Sequence, residues 1–347
     1  MPAATTPPTP ADRAAHARAL ADARLLGAMD DFFLPDDARL DDWTRVALAR
    51  LLHDTVATIE VELRRQAARL LAARGATATA EMLLVGDPAV ERLLRGGLLR
   101  DEGLMEALIA RVRHDAIAAA LPVGAPDGGA GEEASLLVRL ASVPDRVVAG
   151  AARALLVADS RAGLTLAAEL QHRLVWWVAA AIRPAASDAD ADRAIAEAAV
   201  RSLGAHDESE AGEAVAMRLA AAIDARSDEL APLLLEALGD RRLFLFVAVL
   251  AHAIGLDFEQ AQALVLEPEG ERLWLALRAA QLDRSTIARI ALALSDADPR
   301  RDIETFADEL DRIAGVEPAE ARLALAPETL AADFRAAIRA LARSARR

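Results

Sequence analysis

Leu243–Ile254 reads LFLFVAVLAHAI and is apolar at every position except His252. A helix apolar on all faces has no side to turn towards water, so other elements must enclose it. The flanks supply those elements. Gly239 can end one helix, and Asp240 can cap the next by offering its carboxylate to free backbone N–H groups. Gly255 suits a left-handed C-terminal cap, and Asp257 with Gln260 matches a capping box. Pro268 suits the first turn of a third helix, in which Trp274, Leu277 and Gln281 share a face with Leu273 and Ala280 beside them. Residues 240–282 therefore predict three packed helices. A membrane span needs roughly 20 apolar residues, and Arg241, Arg242 and His252 interrupt this run.

Composition says how such a core is filled. Hydrophobic residues make up 54% of the 347 and aromatic residues only 3%, so Ala and Leu must pack closely, which favours helix on helix. Residues 42–74 show the same logic. Leu48, Leu52, Val56, Ile59, Leu63, Ala67 and Leu70 recur at spacings of three and four and form one stripe, with Asp41 or Asp42 as cap and Gly75 as stop. Ala11–Phe33 also looks helical, and Pro35 breaks it. Short helices are expected at 81–85 and 88–95, the latter capped by Asp87 with Pro88 in first position. Asp101 starts another helix towards Leu121, and further helices are punctuated by Gly, Pro or Asp as far as one from Glu328.

Part of this pattern repeats. Leu63, Ala67, Leu70 and Leu71 spell L-x3-A-x2-L-L, and Val148, Ala152, Leu155 and Leu156 repeat it; Glu91, Arg95, Leu98 and Leu99 keep only the paired leucines. The spacing from Leu63 to Glu91 is about 28 residues, within the range of helical solenoids. The fold expected is all-α: a HEAT-like helical repeat, or α-solenoid, of short antiparallel helices with a helical C-terminal region. Its expected organisation is a disordered N-terminus (1–10), N-terminal repeats (11–121), a linker or long loop (122–133), middle repeats (134–238) and a C-terminal helical domain (239–347).

Two groups of segments resemble a known family. EVELRRQAARLL (60–71) and LLVGDPAVERLLRGGLLRDEGLMEALI (83–109) form the first, and 242–266 with 271–282 the second. They resemble an uncharacterised alphaproteobacterial helical family with HEAT-like repeats, the domain of unknown function 2336. The resemblance implies an α-helical repeat fold and an unassigned role, and it carries over no catalytic residue.

The sequence excludes several chemistries. No lysine is present, so there is no Walker lysine and no Schiff-base lysine; no cysteine is present, so there is no disulfide or thiolate. A net charge of −14 opposes general nucleic-acid binding. The N-terminal MPAATTPPTP lacks a signal-peptide pattern, and a cytoplasmic location is expected. No cofactor or metal is expected, because the six histidines do not fall at ligand spacing.

The candidates that remain are few. Glu169 and His172 form E-x-x-H, a half-motif of di-iron bundles that reads more simply as a surface hydrogen-bonded pair. His252, inside the apolar run, needs a partner, and a backbone carbonyl is expected to supply it. Trp176 and Trp177 project about 100° apart on a helix, so equal burial in one core is not expected: either one faces a groove or a partner, or the helix turns a wide apolar face into the array. Arg335, Arg339 and Arg343 stand opposite Phe334, Ile338 and Leu341. That basic amphipathic helix suits a membrane surface or an acidic partner, although a terminal capping helix is preferred.

The expected function is a non-catalytic protein-interaction module, a regulatory or signalling scaffold with a protein partner. One alternative is a ligand sensor or enzyme with a pocket among residues 163–282, lined by Glu169, His172, Trp176 or Trp177, and His252. The other is a HEAT-like nucleic-acid glycosylase, which the acidic charge opposes.

Overall fold

A computed structural model describes residues 9–32, 40–122, 134–160, 164–183 and 188–344. Among them every regular element is a helix. In chain order these are α1 (Pro10–Phe32), α2 (Asp42–Ala73), α3 (Thr77–Leu84), α4 (Ala89–Arg95), α5 (Glu102–Ala120), α6 (Leu136–Leu140), α7 (Arg146–Ser160), α8 (Ala168–Ala181) and α9 (Ala189–Ala205). They continue as α10 (Gly212–Ile223), α11 (Ser227–Gly239), α12 (Leu243–Ile254), α13 (Phe258–Val265), α14 (Glu271–Ala279), α15 (Arg284–Ala297), α16 (Ile303–Ala314), α17 (Pro318–Leu325) and α18 (Ala332–Ser344). The linker expected at 122–133 lies, beyond Pro122, outside the described residues, as does most of the expected disordered N-terminus.

The chain divides into two compact units. One comprises residues 25–112 and 161–211. It is built on α2, whose stripe Leu48, Leu52, Val56, Ile59, Leu63, Ala67 and Leu71 is buried; Leu70 sits half-buried at its edge. The N-cap is Asp41, whose carboxylate accepts the Thr44 N–H at 2.8 Å. Helices α3, α4, α8 and α9 pack against α2. Arg74 closes the end of the α2–α9 pair with two hydrogen bonds to Glu197, at 2.6 and 2.8 Å.

The other unit comprises residues 1–24, 113–160 and 212–347, and α12 is its centre. Leu243 and every residue from Leu245 to Ala251 are buried, under α10, α11, α13 and α14. Ala216 and Ala220 on α10, Ala237 on α11, Ala261 on α13 and Ala276 on α14 are buried, and their small side chains let the backbones approach. Gly255 ends α12 at φ 72°, and Asp257 and Gln260 form the reciprocal capping box of α13, at 2.7 and 2.8 Å.

Several local expectations are corrected. Pro268 is not in α14; it lies in the bend before it, and Gly270 at φ 68° opens the helix, because a Cβ there would sit 2.5 Å from the Trp274 ring. Asp240 does not cap α12 but closes α11, with its carboxylate turned to the Leu136 N–H. The left-handed step before α12 falls on Arg241, at φ 57°, whose side chain donates to the Leu121 carbonyl at 2.7 Å. No single helix among the described residues is long and apolar enough to cross a membrane. The pair α12–α13 reaches that length only together, bends by 114°, and is largely buried.

Candidate functional site

In the first unit the most heavily built local feature is the turn between α3 and α4. Glu60 and Arg64 stand one helical turn apart on α2, and both are buried, at 9% and 6% exposure. Their ion pair, Arg64 Nε to Glu60 Oε1, measures 2.7 Å. Both make further hydrogen bonds to the backbone. Arg64 donates to the Leu83 carbonyl and, at 2.6 Å, to the Asp87 carbonyl; Glu60 Oε2 accepts the Ala89 N–H at 2.9 Å. One buried pair thus ties the last turn of α3, the connecting loop and the first turn of α4 to α2. Desolvating two charges costs several kcal/mol each, and the added backbone bonds offset that cost.

This arrangement replaces the cap expected at Asp87. Pro88 is the N-cap residue of α4 with no side-chain cap bond, and the N–H that a cap would take goes to Glu60. Gly86 is required by space rather than by backbone angle. A Cβ there would lie 2.6 Å from Arg64 Nη1.

The outer side of this turn carries five large apolar side chains among the charged Glu81, Asp87, Glu91, Arg92 and Arg95. Met82, Leu84, Val85, Leu94 and Leu98 are 41–86% exposed, with Val85 the most exposed, while Ala80, Leu83, Ala89, Val90, Leu93 and Leu99 face the core. A soluble surface rarely presents so many large apolar side chains over such a short stretch. The Glu60–Arg64 pair ties the turn that carries Met82, Leu84 and Val85 to α2.

The candidates read from the sequence fall as follows. Glu169 and His172 are both exposed on α8, but His172 pairs with Trp176, whose indole N–H donates to Nε2 at 3.2 Å, and not with Glu169. Trp176 and Trp177 are both half-buried against the same core, contrary to the expected inequality, because α2, α4 and α9 cover a wide arc of α8. His252 lies in the other unit, in the last turn of α12. It is exposed there and bonds the Asp224 carboxylate at 3.0 Å rather than a carbonyl. Arg335 is half-buried and reaches Glu328 at 3.4 Å; the side chains of Arg339 and Arg343 lie outside the described residues.

A second charged cluster was not singled out from the sequence. Glu328 is buried in the turn after α17 and accepts from Arg18 at 2.8 Å and from Arg272 at 3.0 Å. Burial pushes its carboxyl up, but Arg272 and Arg18 outweigh burial and hold it below the ordinary value. Arg272 also donates to Glu267 at 2.5 Å; burial pulls its guanidinium down, and the two carboxylates more than reverse that. Arg301, over the Trp274 ring at 6.0 Å, is lowered to about 10, chiefly by burial. The dense charges of Glu267, Glu269, Glu271 and Arg272 beside an apolar helix were the available signal. Among the described residues no three His, Asp or Glu side chains come together to hold a metal.

Fold and surface together define an all-helical protein whose most specific construction is a clamped, outward-facing apolar turn. Residues 162–326 match the family described as an uncharacterised protein conserved in bacteria, the domain of unknown function 2336. The resembling segments 242–266 and 271–282 fall inside that match, and 60–71 and 83–109 fall before it. No curated protein and no solved structure matches the chain.

Proposed function

We propose that this chain is a non-catalytic helical-repeat interaction module, a regulatory or signalling scaffold that engages a protein partner through the α3–α4 turn. The observation that carries this reading is the apolar side of that turn, held outward by the buried Glu60–Arg64 pair. Large apolar side chains on a rigid support suit a binding hot spot, because little conformational entropy is lost when they are covered. A HEAT-like stacking of helical hairpins is the finer architecture we infer. It is supported by the two copies of L-x3-A-x2-L-L, which bury their first two positions alike, Leu63 and Ala67 in one and Val148 and Ala152 in the other, and then one leucine of the pair, Leu71 in the first and Leu155 in the second.

The test is affinity capture with the tagged full chain and with a Leu84→Glu/Val85→Glu double variant. Both positions are exposed, so the variant should melt within about 2 °C of the parent. A specific protein captured by the parent should be lost by the variant. Equal capture by both would reject this surface.

A further inference from the structure

The geometry of α18 points to a second surface, independent of the first. Phe334, Ile338 and Leu341 follow one another at spacings of four and three and so share one face of the helix, and they are 46–73% exposed. A terminal capping helix would turn that face inward. Here the first turn is fixed the other way: Arg335, about 100° round the helix from Phe334, reaches back to the buried Glu328. Glu328 is itself held by Arg18 and Arg272, so the anchor is well supported. The apolar stripe is therefore pinned outward.

We infer that α18 lies in the interface of an anionic lipid bilayer, its apolar stripe sunk among the acyl chains and the positive charge of its segment drawing it to the anionic surface. Three observations favour lipid as the occupant. Residues 332–347 hold five arginines and one acidic residue, in a chain whose net charge is −14. By helical periodicity Phe334, Ile338 and Leu341 fall within about 60° of one another and positions 335, 339 and 343 fall outside that arc, the amphipathic pattern of helices that rest in the membrane plane. The three apolar side chains expose on the order of 300 Å², short of the roughly 600 Å² that each partner buries in even a small stable protein interface. Two copies of so basic a helix would also repel one another when apposed.

The experiment is co-sedimentation of the full chain with phosphatidylcholine vesicles, with and without an equal share of phosphatidylglycerol. Binding should appear only with the anionic vesicles and fall at least about tenfold between low salt and about 0.5 M salt. Ile338→Glu should reduce it at least about tenfold with an unchanged melting curve, and Arg339→Glu should weaken it without abolishing it. Failure to bind anionic vesicles overturns the inference, and so does equal binding by Ile338→Glu and the parent. Light scattering supplies the remaining case. A dimer that Ile338→Glu dissociates, in a chain that ignores vesicles, would assign the stripe to a second copy.

Discussion

Arg64 does more for this fold than any residue of its polarity would suggest. It is enclosed, it neutralises Glu60, and it satisfies two backbone carbonyls that have no other anchor to α2. Replacing it with Leu strands the Glu60 carboxylate in the core, and the expected cost is about 3–5 kcal/mol in urea unfolding. Gly86→Ala is expected to act through the same group, forcing the guanidinium off at least one carbonyl at a cost of roughly 1–3 kcal/mol. If Arg64→Leu unfolds with the parent's midpoint, the clamp is not structural. Glu328 offers a different signature. Its folded value lies below the ordinary 4.5, so its contribution is complete above that pH and is lost as pH falls through the lower folded value. Glu328→Gln should therefore be less stable than the parent near neutrality, and the gap should close in acid. A gap constant from about pH 7 to about pH 3 would show that the charge is irrelevant there. Such roles were hardly legible beforehand. Glu60 and Arg64 look like a surface i,i+4 pair in EVELRR, and only packing reveals that α3 and α4 bury it.

Elements were far more legible, because caps and periodicity are local. The end of α12 at Gly255 and the capping box of α13 follow from residues within one turn of each boundary. Where a boundary depends on a distant group, local reading failed: Pro88 was expected inside α4 because nothing nearby shows that Glu60 takes the Ala89 N–H. Gly255 and Gly270 make the same distinction experimentally. Both have φ near +70°, but the space around Gly255 is open, whereas a Cβ at Gly270 meets the Trp274 ring. Gly255→Ala should cost about 1 kcal/mol, and Gly270→Ala clearly more, in paired thermal melts. Equal losses would mean that the ring moves aside freely.

At the scale of the molecule, helical content was legible from Ala- and Leu-rich periodicity with almost no aromatic residues. Which distant segments pack together was not. Helix α9 lies against α2, and their pairing leaves no mark in either segment's own pattern. The apolar turn had the same fate. The short helix expected at 81–85 does not show by itself which side is buried: Ala80 and Leu83 fill the inner side, and Met82, Leu84 and Val85 are left exposed. The most direct test of the proposed partner surface places a photo-crosslinking amino acid at Val85 in cells and, as control, at Val200, an equally apolar exposed position on α9. The expected result is one discrete protein adduct at position 85 and none at 200; no adduct at 85, or the same pattern at both positions, would contradict it.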